Sequence, residues 1–365
     1  MKRKLSLFLV LILVFALAVG CSNDNQETAT ETTETTETTE TTETTGEETE
    51  EAEEEVATAP DDYSLTLRMS HVFAPDEQLT KSTDAAAKAI YDRTNGAIDI
   101  QSYPQGQLPT YKDGLEQVVN GAEFISVEDP TYIGDYVPDF KALVGPFLYS
   151  DIDQYVEILE SDLVKDMIQE LEDEHRIKVL GLDYVFGFRN MMTNKEIVEP
   201  EDLQGMKIRV PGSQVFIDTI NAMGATATPM AFSETISAVQ QGVVDGLEGT
   251  VDAMGVNGSA EVAKNVSLTK HFLGVCGVYI NADLFDSIPE EYQQIILEEF
   301  DKNGKEMTEL VKSNYDQQVL DLEERGITFN EVNLPAFQEK AQPVFDNMEG
   351  ISDGIYDKLV EEINN

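Results

Sequence analysis

The stretch "QGMKIRVPGS", residues 204–213, decides how this chain folds. Its apolar residues Met206, Ile208 and Val210 alternate with Lys207 and Arg209, the period-two pattern of a strand. Pro211 and Gly212 stop that strand, and Ser213 stands where an N-cap opens the next helix. A strand running straight into a helix belongs to a parallel α/β sheet. Arg209 then lies at the strand's carboxyl end, the rim where open α/β sheets bind ligands. Its planar fork of donors fits a carboxylate in a dry cleft. The alternative is an internal partner, because the chain has 70 Asp and Glu against 24 Lys and Arg.

The neighbouring segments repeat the pattern. Towards the N-terminus lie a strand in "SLTLRMSHVF", a helix in "LTKSTDAAAKAIYDRTNG" stopped by Gly96, and a strand near "AIDIQSY". A helix in "TYKDGLEQVVNG", a buried strand "AEFISV", a helix from Ile152 to Asp173 and a strand "IKVLGLDYVF" follow. After "MKIRV" come the helix "SQVFIDTINAMG", the strand "ATATP", the helix "SETISAVQQG" and the strand "VVDGLEG". The last third is helical, with one long stretch from Glu290 to Arg325. This order predicts a largely parallel α/β sheet in two lobes, with the chain crossing between them near residues 183–190. Arg189, in "VFGFRNMMTN", falls just beyond the strand at that crossing. Only six arginines follow the first 62 residues, and two occupy these ligand-facing positions.

The N-terminus reads as a targeting segment. Lys2, Arg3 and Lys4 precede the apolar run "LSLFLVLILVFALAV", too short and too early for an ordinary membrane span. Small residues then lead into Cys21, so residues 1–20 read as a lipoprotein signal peptide and Cys21 as the acylated new N-terminus. Residues 21–62, rich in Thr and Glu without aromatics, read as a disordered tether of about 35 Å as a flexible coil. The tether's 16 acids still leave 54 beyond it against 21 Lys and Arg. That balance excludes nucleic acid and an anionic membrane face as partners. The second cysteine, Cys276 in "FLGVCGVYIN", reads as a buried strand thiol without a disulfide partner.

Several motifs resemble one family. "SHVFAP", "RTNGAIDIQSYPQGQL", "GFRNMMTNKEIVEPEDLQGMKIRVP", "MGATATPMAFSETISAVQQGVVDGLEG" and "EVAKNVSLTKH" follow one another in the order found in the extracytoplasmic solute-binding proteins of tripartite ATP-independent periplasmic (TRAP) transporters, the dicarboxylate-binding-protein family. The resemblance implies an α/β, two-lobed periplasmic-binding-protein-like fold, with a ligand cleft between the lobes and long C-terminal helices. Lobe I is expected from residues 63–186 with about 272–315, and lobe II from 187–271 with about 316–365. The resemblance makes Arg209 the partner of a ligand carboxylate, Arg189 a second cleft contact and Phe232 a packing surface. Gly249, next to Glu248, stands where many members carry an Asn or an aromatic that touches ligand, which implies a roomier or differently bonded pocket, and Glu248 is a candidate contact beside it. His71, ending the first strand, is a further candidate for the cleft. Expected partners are a small organic acid (a dicarboxylate, sugar acid or keto acid), the small and large membrane subunits of a TRAP permease, and the membrane through the lipid anchor, placing the protein outside the cytoplasm. No cofactor or metal is expected. The chain has three histidines and no HExxH, CxxC, Walker loop or GxSxG, so a binding protein is expected rather than an enzyme.

Overall fold

The computed structural model describes residues 63–364. Cys21, the signal peptide and the tether lie outside them. Nine strands form one mixed sheet: β1 Leu65–Ser70, β2 Ile98–Tyr103, β3 Phe124–Glu128, β4 Ile177–Thr193, β5 Lys207–Val210, β6 Thr226–Pro229, β7 Gly246–Thr250, β8 Asn265–Asn281 and β9 Thr328–Asn330. Their order is β2-β1-β3-β8-β4-β7-β5-β6, with β9 beside β8. The outer pairs β1/β2 and β5/β6 are parallel, as the strand–helix alternation dictates. The centre departs from the expected largely parallel sheet, because β3/β8, β4/β8 and β4/β7 are antiparallel.

That centre joins the lobes. β4 and β8 are 17 residues each and pair along their length. One end of β8 pairs with β3 through Gly277–Ile280, and its other end pairs with β9 through Asn265–Ser267. β4 therefore runs on past Phe186 through "GFRNMMT", and Arg189 lies inside a strand rather than beyond one. The pairing is broken by register shifts at Val185/Gly187 and Arg189/Met191, which bend the ribbon where it passes between lobes. At that bend Gly187 has φ of +101°, a conformation that favours glycine.

Four buried clusters cover the sheet. Lobe I packs Leu67, Ile90, Tyr184 and Phe300 on one face and Leu115, Phe140, Tyr155 and Leu171 on the other. Lobe II packs Ile208, Phe216 and Phe337 on one face and Leu247, Met254 and Leu322 on the other. Burying each such side chain contributes about 1.5–3 kcal/mol. The long helix is Glu290–Glu324, as its sequence pattern predicts, and it spans both lobes, from Phe300 in the first to Leu322 in the second. Two expectations change. The helix from Ile152 breaks into Ile152–Ile158 and Asp162–His175, because the Ser161 hydroxyl accepts a hydrogen bond from the Val164 N–H and caps a new start. The C-terminal tail does not stay with lobe II: Phe345, Ile355 and Leu359 bury their apolar face in lobe I beside Tyr155.

The bend gives a stability test. A Cβ on Gly274 of β8 would lie 2.6 Å from the Phe186 ring and 2.9 Å from the Gly187 carbonyl oxygen. Gly274→Ala should cost about 1–3 kcal/mol and lower the melting temperature by several degrees. Gly255→Ala, where a Cβ meets open space, should be neutral or mildly stabilising. Equal melting temperatures for the two variants would show that the β4/β8 contact is not tight.

Candidate ligand-binding site

A cavity opens between the lobes where β4 bends, with about 720 Å³ between its walls including the mouth. Lobe I supplies Phe73, Glu77, Tyr111, Glu128, Asp129, Tyr132 and Phe186; lobe II supplies Arg209, Phe216, Phe232, Glu248 and Gly249. Arg189 and Met192 reach it from the bend itself. Most of the wall is apolar or aromatic, and the polar groups are few and buried, as in small-molecule sites generally.

Arg189 is already matched. Antiparallel pairing of β4 with β7 sets Arg189 opposite Thr250 and Met191 opposite Glu248. The Arg189 Nε donates to Glu248 Oε2 at 2.5 Å and its Nη2 donates to Oε1 at 2.6 Å, a two-pronged bond. His271 stands behind the carboxylate, its Nε2 3.5 Å from Oε2 and its Nδ1 2.8 Å from the Thr269 hydroxyl. Burial would raise the Glu248 carboxyl, but the Arg189 guanidinium and His271 override it and hold it at about 2. Burial pushes His271 below its ordinary value, so it is neutral at pH 7. The internal alternative that the sequence left open for both arginines is thus realised at Arg189.

Arg209 differs. It is 2% exposed, and its Nε and Nη2 both donate to the Met230 carbonyl, at 3.1 and 2.8 Å. Its guanidinium carbon stands 5.3 Å from the centre of the Phe232 ring, and Tyr111 adjoins it. No carboxylate of the described residues forms a salt bridge with it; the nearby Glu248 is spent on Arg189. Burial lowers its pKa from the ordinary arginine value. A buried cation without a counter-ion is costly, and the open side of this one faces the cavity.

Three acids join the polar lining alongside Thr250, Asn257 and Ser259, and none of the three was legible as a site residue in the sequence. Glu77 Oε1 accepts from the Ala74 N–H at 2.8 Å, Glu128 Oε1 from the Tyr111 N–H at 2.5 Å and Asp129 Oδ1 from the Thr131 N–H at 2.8 Å. Burial pushes Glu77 and Glu128 up to about 8 and Asp129 to about 6. The signal available was local: "EDPT" is an N-cap followed by proline at the first helical position, which turns Asp129 inward.

The structure gathers Arg189, Arg209, Phe232, Glu248 and Gly249 around one cavity. His71 is not among the lining residues. It is fully buried, with no hydrogen-bond partner for either ring nitrogen, and Val72 and Phe73 face the cavity instead. A Cβ on Gly249 would meet only Met192, at 3.7 Å, so the absent side chain leaves room. Tyr184 is buried in the lobe I core, Cys276 belongs to that core and also lines the cavity, and Phe188 leaves the cavity for the far side of the bend near Lys270. Among the described residues no group of three or more His, Cys, Asp or Glu is placed to hold a metal ion, and no helix is long and apolar enough to cross a membrane.

Known proteins share this fold. Residues 69–350 match the family profile DctP, bacterial extracellular solute-binding protein, family 7. A TRAP periplasmic solute binding protein of Desulfovibrio salexigens, solved in complex with diglycerolphosphate, is 53% identical, with a TM-score of 0.81 over 83% of this chain and 97% of that one. One from Fusobacterium nucleatum, with bound sn-glycerol-3-phosphate, is 40% identical, with a TM-score of 0.81 over 82% and 97% of the two chains. The C4-dicarboxylate-binding periplasmic protein DctP of Rhodobacter capsulatus is 28% identical over 291 residues, 78% of this chain and 86% of the relative. These relatives are named as binding proteins for small acids. With its two lobes, its continuous β4/β8 ribbon and its interlobe cavity, the chain belongs to the family 7 extracellular solute-binding proteins, the binding components of TRAP transporters.

Proposed function

We propose that the cavity captures a small, hydroxyl-rich acid, with its acidic group on Arg209, and that the protein hands it to the two membrane subunits of a TRAP permease without chemical change. The observation that carries this reading is the buried Arg209 guanidinium, which has no carboxylate partner among the described residues. A guanidinium fork accepts a carboxylate or a phosphate equally well. The relatives at 53% and 40% identity hold glycerol phosphates, which favours a polyol phosphate over the dicarboxylates of the more distant DctP. The room left at Gly249 suits a ligand with an extended polyol arm. Glu77 and Glu128, largely protonated at neutral pH, exchange hydrogen bonds with hydroxyl groups on such an arm.

Transport follows from the position of the cavity. A ligand resting on one lobe gains contacts with the other only when the lobes close, and that difference in affinity drives closure. The closed form is what the permease recognises. The Cys21 lipid holds the protein at the outer face of the membrane, on the tether of residues 21–62.

Two experiments test these roles. In calorimetric titration with diglycerolphosphate, Arg209→Ala should weaken binding by about 30-fold to several thousand-fold, the 2–5 kcal/mol lost when one partner of a buried charge pair is truncated. Arg209→Lys should weaken it by less, because lysine offers a point charge in place of a fork. Unchanged affinity in a folded Arg209→Lys protein would make the arginine structural. Cys21→Ser should move the protein from the detergent phase to the aqueous phase in a partition assay; continued detergent partitioning would remove the anchor.

A further inference from the structure

We propose that Glu248 sets the charge of the ligand at one, so that the site takes monoanions and rejects dianions. The inference rests on Arg209 being the acid-binding group, as proposed above. Two guanidinium groups reach the cavity, which by count suits a dianion such as a dicarboxylate or a phosphate monoester. The geometry cancels one of them. Both of the Arg189 donors on the Glu248 side are committed, at 2.5 and 2.6 Å, and the Glu248 side chain is wholly out of water. Its carboxylate occupies the position a second ligand charge needs. His271, held by Thr269, stands behind the carboxylate with its Nε2 3.5 Å from Oε2, and burial disfavours its charged form.

The rest of the wall opposes a second negative charge as well. No lysine lines the cavity, and its other ionisable groups are Glu77, Glu128, Asp129, Tyr111, Tyr132 and the buried Cys276 thiol. Each of the three carboxyls is neutral or negative, so an added anion beside it meets either no attraction or repulsion. Like charges within about 4–6 Å shift an ionisation equilibrium by one or more pH units, which is a tenfold effect or greater on affinity. A phosphate diester of glycerol, or a sugar acid with one carboxylate, presents the single charge that Arg209 alone can match. Its hydroxyl groups then face the acids.

The test compares two ligands that share the glycerol–phosphate unit and differ in charge. Diglycerolphosphate carries one negative charge at pH 8 and at pH 5.5. sn-Glycerol-3-phosphate carries two at pH 8 and mostly one at pH 5.5, because its second proton is lost near pH 6. Calorimetric titration of the parent protein at pH 8 should show the diester bound at least about tenfold more tightly than the monoester. Lowering the pH to 5.5 should narrow that ratio by about tenfold. Protonation of Glu77, Glu128 and Asp129 over the same range relieves a dianion more than a monoanion, so it narrows the ratio in the same direction, and the Glu248→Gln variant isolates the part due to Glu248. In Glu248→Gln, which keeps the volume and frees the Arg189 charge, the preference at pH 8 should vanish or invert. The inference is overturned if the parent binds both ligands equally at pH 8, or if Glu248→Gln weakens both by the same factor. The pH series needs no variant, so a misfolded Glu248→Gln protein does not rescue the idea. If Arg209→Lys weakens both ligands while the parent shows no charge preference, only the role of Glu248 fails; if Arg209→Lys weakens neither, the reading beneath it fails.

Discussion

A guanidinium removed from water must be answered by negative charge, and at Arg209 no carboxylate among the described residues forms that pair. Two bonds to the Met230 carbonyl and an aromatic face at Phe232 hold the group in position without neutralising it. Burying that cation costs free energy that an anion at its open side would offset. The surrounding architecture serves this one requirement. The short strand β5 delivers Arg209 to the sheet's rim, Pro211 ends the strand there, and the first lobe closes the other side with Tyr111 and Tyr132.

A binding protein also has to change shape, and the β4/β8 ribbon explains how it does so without losing its core. The four clusters lie two to a lobe, so motion at the bend leaves each largely intact. Register shifts and Gly187 concentrate irregular backbone at the crossing. The long helix Glu290–Glu324 spans both lobes, and the C-terminal helix Ile355–Ile363 returns to lobe I. Arg189 sits at the bend and grips Glu248 on β7. That bond fixes one wall of the cavity to the moving joint.

Much of this was legible in the residues. Alternation in "KIRVP" with its proline stop placed Arg209 on the rim, and the strand–helix order placed the sheet's outer strands and the long helix. The family motifs added Phe232, Glu248 and Gly249 to the same cleft, and all of them line it. What stayed hidden depended on pairing between distant strands. The partner of Arg189 is 59 residues away, and only the antiparallel register of β4 on β7 brings Glu248 under it. The buried acids Glu77, Glu128 and Asp129 were lost among the chain's many surface acids, since composition cannot separate a solvated carboxylate from a buried one. His71 misled for the opposite reason: a histidine at a strand end reads as a cleft residue, while its ring is packed inside. The crossing of the tail back to lobe I depends on where an amphipathic helix finds an apolar face, which local pattern does not specify.

The most direct test of the central claim is a crystal structure of the protein with diglycerolphosphate bound. The account requires a phosphate oxygen within hydrogen-bond distance of the Arg209 Nη atoms, about 2.7–3.2 Å, with the Arg189–Glu248 pair still intact. A ligand whose acidic group rests elsewhere, with Arg209 still bonded only to the Met230 carbonyl, would contradict it.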